Sequence, residues 1–264
     1  MKKFVVLLLA LCMIFMLCAC GEEAVQEVVS DSAEAEGIST VEDGVLHMAT
    51  NAEFPPYEMI TADGKSYEGI DVEIATAIAK ELGLELVVDD MDFNSVLTAV
   101  QSGKADVCLA GLTVTDERKE NVDFTESYAQ GVQVVVVKED SDIKSVDDLK
   151  GKKIGCQEAT TGYIYCEGDY GAENVNAYKN GALAIEALKN GQVDCVVIDE
   201  QPAKSFVAAN EGLKILSTEY VVEDYAIAVS KDNPALRDAI NEALVNLIED
   251  GTVKEIIDKY INAD

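Results

Sequence analysis

The chain has 264 residues, 50 of them Asp or Glu against 20 Lys or Arg, which gives a formal charge of −30 at pH 7. Hydrophobic residues make up 48 %, enough for a buried core, while the acid excess excludes a nucleic-acid partner and charge-driven docking on anionic lipid. With one histidine, His47, no two-histidine metal site or HExxH helix can form.

Lys2 and Lys3 precede an apolar run over residues 4–17, which is short for a bilayer span and suits the core of a signal peptide. Leu17-Cys18-Ala19-Cys20-Gly21 follows and resembles a bacterial lipobox. That resemblance implies removal of a signal peptide, 1–19, and a lipid on Cys20. An ordinary signal or an uncleaved anchor is the alternative. Residues 20–43 hold Glu22, Glu23, Glu27, Asp31, Glu34, Glu36, Glu42 and Asp43 with no basic residue, which predicts a solvated acidic tether.

Residues 45–50 read as a strand. A helix follows, capped by Asp71, with Val72, Ala75, Ile78, Ala79 and Leu82 at helical spacing and a stop at Gly83. Residues 84–88 form a strand, Phe93, Val96, Leu97 and Val100 mark a second helix ending at Gly103, and 106–110 form a third strand. Strands alternating with helices predict a mainly parallel, doubly wound sheet. Ser102-Gly103-Lys104-Ala105-Asp106 recurs as Asn190-Gly191-Gln192-Val193-Asp194, each between a helix and an apolar strand, which suggests two lobes of related build. Strands at 133–137 and 225–229 with helices over 234–260 complete the chain. If those helices pack back on the first lobe, the chain crosses between lobes twice, making a hinge and a cleft. Cys108, Cys156, Cys166 and Cys195 are either buried thiols or disulfide partners. No CxxC pair supports zinc or thioredoxin-like chemistry.

The chain has only two arginines, Arg118 and Arg237. Arg118 follows the third strand, in a helix start that Thr115 can cap, where a guanidinium fork and free N–H groups suit a carboxylate. Pairing with Asp116 or Glu120 on the surface is the alternative. Asp199 ends the strand of the second lobe and either receives an ammonium or caps the next helix. Thr160 and Thr161 can cap a helix or hold an anion. Pro55 and Pro56 stiffen a loop that presents Phe54 and Tyr57, either over a cleft or into the core, and Phe93 has the same two options.

Thr50-Asn51-Ala52-Glu53-Phe54-Pro55-Pro56-Tyr57-Glu58, Gly69-Ile70-Asp71-Val72-Glu73-Ile74-Ala75, Ala110-Gly111-Leu112-Thr113-Val114-Thr115-Asp116-Glu117-Arg118 and Val122-Asp123-Phe124-Thr125 together resemble the polar amino-acid substrate-binding proteins of bacterial ABC importers. The resemblance covers residues 45–260. It implies an α/β, two-lobed type II periplasmic-binding-protein fold with two crossover hinge strands, lobe 1 at 44–131 plus 225–264 and lobe 2 at 132–224. It also implies roles. Arg118 would clamp an α-carboxylate with Thr113 and Thr161. Asp199 would take the α-ammonium beside the Gly111 carbonyl. Phe54 and Phe93 would sandwich the side chain, and Asn51 and Gln157 would read its head group. Ala110 and Gly111 stand where binders of basic amino acids commonly carry serines, so this stretch looks more like the glutamine binders. The implied partners are a free amino acid and an ABC permease with its ATPase, with the membrane reached only through the lipid, no cofactor, no metal, no catalysis and a monomeric state. The alternatives are a dehydratase on the same fold and the sensing module of a signalling receptor. Against the first, the lone histidine falls inside a strand; against the second, the 264 residues hold no kinase region.

Overall fold

Two strands longer than their apolar cores organise the molecule. In the computed structural model, which describes residues 38–261, the strands predicted at 133–137 and 225–229 extend to β7 and β12 of a 20-element α/β body. In chain order these elements are β1 (Val45–Thr50), β2 (Glu53–Phe54), β3 (Glu58–Ile60), β4 (Tyr67–Glu68), α1 (Ile70–Glu81), β5 (Glu85–Asp90), α2 (Phe93–Gln101), β6 (Val107–Cys108), α3 (Asp116–Asn121) and β7 (Val122–Lys138). Then come β8 (Ile154–Gln157), α4 (Thr161–Tyr170), β9 (Val175–Tyr178), α5 (Gly181–Lys189), β10 (Cys195–Asp199), α6 (Glu200–Ala209), β11 (Leu213–Ile215), β12 (Val221–Ser230), α7 (Pro234–Glu249) and α8 (Thr252–Ile261). The signal peptide, Cys20 and most of the tether lie outside the described residues.

One sheet runs in the order β5-β1-β6-β12-β7-β10-β8-β9, with β11 also on β7. Pairing is parallel among β5, β1 and β6 and among β10, β8 and β9. It is antiparallel wherever β7 or β12 takes part. The sheet is therefore two parallel halves joined through an antiparallel pair, rather than parallel throughout. Each half buries strands under helices. Ile70, Ile74 and Ile78 keep a spacing of four along α1 and are fully buried, and α7 and α8 pack on that helix. The last helices thus return to the first half, as the double crossing requires. In the second half Cys156, Cys166 and Cys195 are buried together in an apolar cluster; these three and Cys108 are free thiols.

The repeated helix–Gly–Asp phrase has one physical role in both places. Asp106 accepts the backbone N–H groups of Val41 and His47 at 2.8 Å, and Asp194 accepts that of Lys153 at 2.8 Å. Each aspartate ties the end of one helix–strand turn to the neighbouring strand. Asp71 differs from expectation. It sits inside the first turn of α1, fully buried, and its carboxyl accepts from Gly111 N–H and Tyr128 O–H, both at 2.8 Å, instead of capping the helix.

Candidate functional site

The carboxyl ends of β1, β6, β8 and β10 converge where an open α/β sheet places its ligands. Asn51 follows β1, Ala110 and Gly111 follow β6, Gln157 ends β8 and Asp199 ends β10. Phe54 comes from the proline loop, Phe93 from the first turn of α2, Thr113 from the segment leading into α3, Arg118 from the first turn of α3, and Thr161 from the start of α4. All ten line one cavity, together with Thr160.

Arg118 is buried, and its guanidinium donates only to backbone carbonyls: Nη1 to Thr113 O at 2.7 Å and Nη2 to Ala159 O at 3.2 Å. Among the described residues no carboxylate forms an ion pair with it, so the alternative, a surface pairing with Asp116 or Glu120, is absent. Its charge sits 5.6 Å from the centroid of the Phe93 ring. Burial pulls the Arg118 pKa down from its usual value, against partial compensation by nearby acidic groups, Glu223 and Asp199 among them. Thr115 caps α3, accepting from Arg118 N–H at 3.1 Å, which fixes where the arginine begins.

Asp199 occupies the N-cap position of α6 but makes no side-chain cap bond. Its carboxyl accepts instead from Tyr225 O–H. Burial pushes its pKa up to about 6, against partial compensation by that hydrogen bond. Thr160 and Thr161 divide the tasks that sequence left open. Thr160 caps α4 through Tyr163 N–H at 3.2 Å, and Thr161 Oγ1 points elsewhere, onto Glu223 at 2.9 Å.

At the other end, Gln157 Nε2 donates to Asn51 Oδ1 at 3.0 Å, and Asn51 Nδ2 donates to Met91 O at 3.0 Å. Phe54 is buried and lines the cavity; Tyr57 behind it is core, with ring centroids 5.9 Å apart from Phe54 and 5.2 Å from Tyr225. Gly111 has φ +53, and a Cβ there would stand 2.7 Å from the Phe54 ring, so only glycine admits that ring. Beneath Gly111, Glu58 is fully buried beside Asp71. Burial drives the Glu58 pKa well above its usual range and that of Asp71 to about 6, so this pair carries a proton. Around the rim, Asn94 donates to Glu158 at 2.9 Å, Asn180 donates to Glu53 at 3.0 Å and Lys179 pairs with Asp92 at 2.9 Å. These bonds join the first half to the second at the cavity rim.

Four functional neighbours escaped sequence reasoning. Glu223, Gln133, Tyr165 and Tyr225 surround the threonines and Asp199. None sits in a motif with local chemistry; the register of β7 against β12 assembles Gln133, Glu223 and Tyr225, and α4 brings Tyr165 to them. His47 lies in β1 with its ring on Asp89, and does not line the cavity.

Comparison with known proteins matches this arrangement. The model of the bacterial extracellular solute-binding proteins, family 3, matches residues 46–263. The arginine-binding extracellular protein ArtP of Bacillus subtilis (strain 168) is 34 % identical over 277 residues, covering 100 % of both chains. A solved ancestral arginine-binding protein bound to glutamine shares 40 % identity and a TM-score of 0.79, over 83 % of this chain and 99 % of that one. An ancestral arginine-binding protein bound to arginine shares 41 % identity and a TM-score of 0.77, over 83 % and 98 %. The chain belongs to the bacterial extracellular solute-binding proteins, family 3.

Proposed function

We propose that this chain is the extracytoplasmic receptor of an ABC importer, capturing one free amino acid between its two lobes and delivering it to the permease and its ATPase. The observation that carries this reading is that a buried arginine, Arg118, and a buried aspartate, Asp199, line one cavity. A free amino acid carries fixed charges of both signs, and each needs a desolvated partner. Arg118, buried with only neutral carbonyls in contact, presents a planar fork to the α-carboxylate. Asp199, whose pKa burial raises to about 6, is ionised above that pH and receives the ammonium. Backbone groups at Thr113, Thr161 and Gly111 complete the zwitterion site.

Phe54 and Phe93 flank the side-chain stem, and Ala110 keeps the wall small. The head group meets two neutral amides, Asn51 and Gln157. Guanidinium and carboxamide groups both offer planar N–H donors to such carbonyl oxygens, which fits the arginine and glutamine held by the solved relatives. In this reading lobe 1 comprises 44–131 plus 225–264 and lobe 2 comprises 132–224. The mature chain starts at a lipidated Cys20, sits on the outer surface of the cell membrane and works as a monomer without catalysis.

The test is thermal unfolding of the purified body with each of the twenty amino acids at millimolar concentration. A ligand that binds only the folded state raises the melting temperature by mass action. A rise with one or a few amino acids is expected; no rise with any of them overturns the reading.

A further inference from the structure

Glu223 is nine-tenths buried and is the most heavily bonded carboxyl beside the cavity. Its Oε2 accepts from Thr161 Oγ1 at 2.9 Å, Thr113 Oγ1 at 3.3 Å and Gln133 Nε2 at 2.9 Å, and its Oε1 accepts from Tyr165 O–H at 2.9 Å. We propose that Glu223 is a positioning residue for ammonium recognition: by drawing off the hydroxyl protons of Thr113 and Thr161, it leaves both oxygens as acceptors toward the cavity. This rests on the amino-acid reading above and adds to it a residue that does not itself line the cavity.

A threonine hydroxyl has one proton and two lone pairs. Both threonines line the cavity, and both commit their proton to Glu223. What remains for a ligand is the lone pairs, which attract an N–H and repel a carboxylate. Together with Asp199 they form an acceptor set, while the donors, the Arg118 fork first among them, serve the carboxylate. The zwitterion is thereby given a direction in the site and not only two charges.

The carboxyl is not free to turn away. Gln133 on β7 and Tyr165 on α4 fix it from two further elements. Its strand position explains the arrangement. Glu223 and Tyr225 are two residues apart on β12 and so share a face. Tyr225 donates to Asp199, and Glu223 accepts from the threonines. One face of one crossing strand therefore orders all three acceptors. Thr113 precedes α3 and Thr161 begins α4, so the two hydroxyls meet Glu223 together only while the halves are closed.

Calorimetry on Glu223→Gln, with melting curves to confirm folding, tests this. L-arginine and L-glutamine are the probes, replaced by the best amino acid of the thermal screen should it prefer another. The glutamine amide offers N–H groups where the carboxyl offered none, which turns at least one hydroxyl round to face the ammonium with its proton. Affinity is expected to fall roughly tenfold to a hundredfold, as for loss of a hydrogen bond to a charged group. Glu223→Asp, which keeps the carboxyl, is expected to retain more affinity than the amide. In a Thr113→Val, Thr161→Val background the effect of Glu223→Gln is expected to shrink below about threefold, because its intermediaries are gone. Unchanged affinity, equal loss in the Asp and Gln variants, or the full loss persisting in the valine background each overturns the proposal. Should Glu223→Gln not fold, Thr113→Val decides, with L-arginine against 5-guanidinopentanoate, which lacks only the α-amino group. Loss confined to arginine supports the proposal, and equal loss on both overturns it. A wild type that binds no amino acid fails the functional reading instead, so the two failures are distinguishable.

Discussion

Arg118 is held by two carbonyl oxygens and Asp199 by a tyrosine hydroxyl, so each charge enters the cavity without an ion-pair partner of its own in contact. Removing either strands one charge of a bound zwitterion, at a cost on the order of 2–5 kcal/mol. Arg118→Lys and Asp199→Asn are therefore each expected to weaken amino-acid binding about 30-fold or more by calorimetry, with the melting temperature of the ligand-free variants showing that they fold. Near-wild-type affinity in both would remove them as the charge clamp. The pKa of Asp199 sets a pH dependence of known sign. An ammonium needs the ionised form, so affinity is expected to fall about tenfold per pH unit below about 6 and to level off above it. Ligand-free stability runs the other way. The folded chain still holds protons on Asp71 and Asp199 that the unfolded chain has lost, so these groups stabilise the fold less as pH rises from about 4 to about 6. Urea midpoints and calorimetric affinities measured over pH 4–8 would show these opposite trends, and parallel trends would refute the assignment to Asp199.

At the level of elements, Arg118, Asp199, Thr161, Phe54 and Phe93 were legible as candidates from their places at strand ends, helix starts and a proline-stiffened loop, whereas Asn51, Ala110, Gly111, Thr113 and Gln157 were named only through the resemblance to amino-acid-binding proteins. The crossing strands were legible only at their apolar cores. Residues 122–132 carry Asp123, Glu126, Ser127, Gln130 and Gly131, and are ordered by pairing with β12 rather than by apolar burial. Glu223 is one acid among 50, and its donors come from β7, α4 and the segment before α3, so no local spacing announces it. Asp71 misled for a related reason: an acid at a helix start reads as a cap, and only the fold brings Gly111 and Tyr128 to it. The register of β12 on β7 shifts on both sides of Ala226, directly after Tyr225. A Cβ at Gly131 would stand 2.4 Å from the Tyr225 ring. Gly131→Ala is thus expected to displace that ring from Asp199, lowering the melting temperature and weakening binding together. An alanine variant with unchanged affinity would show that Tyr225 does not hold Asp199 for its task.

For the whole molecule, the rim contacts are few and partly wet. Lys179 and Asp92 are about half exposed, and pairs of that kind contribute about 0–1 kcal/mol. Bonds this weak do not hold two lobes shut alone, so the ligand supplies the remainder of the closing free energy. Small-angle scattering is expected to give a smaller radius of gyration with saturating amino acid than without; identical radii would rule out closure on binding. The proposed anchor is tested separately. Cys20→Ala is expected to move the protein from the membrane fraction to the medium, and an intact mass showing another N-terminus without lipid would refute it.

The interleaved path of the chain also dictates an order of assembly. Strands β8 to β11 and helices α4 to α6 are consecutive over residues 154–215, so the second half has all its own parts as soon as that stretch is available. The first half does not. Its strand β6 waits for β12, and α1 waits for α7 and α8, which follow the whole second half in the chain. Until they arrive, the side of α1 that meets α7 and α8 has no cover, and closing that loop carries the entropic cost of everything between. A chain emerging from its N-terminus therefore passes through a stage in which the later-made half is finished and the earlier-made half is exposed and prone to stick to its neighbours. Truncation before α7 should trap that stage, leaving a protease-resistant core from residues within 132–224 while the segment before it is digested.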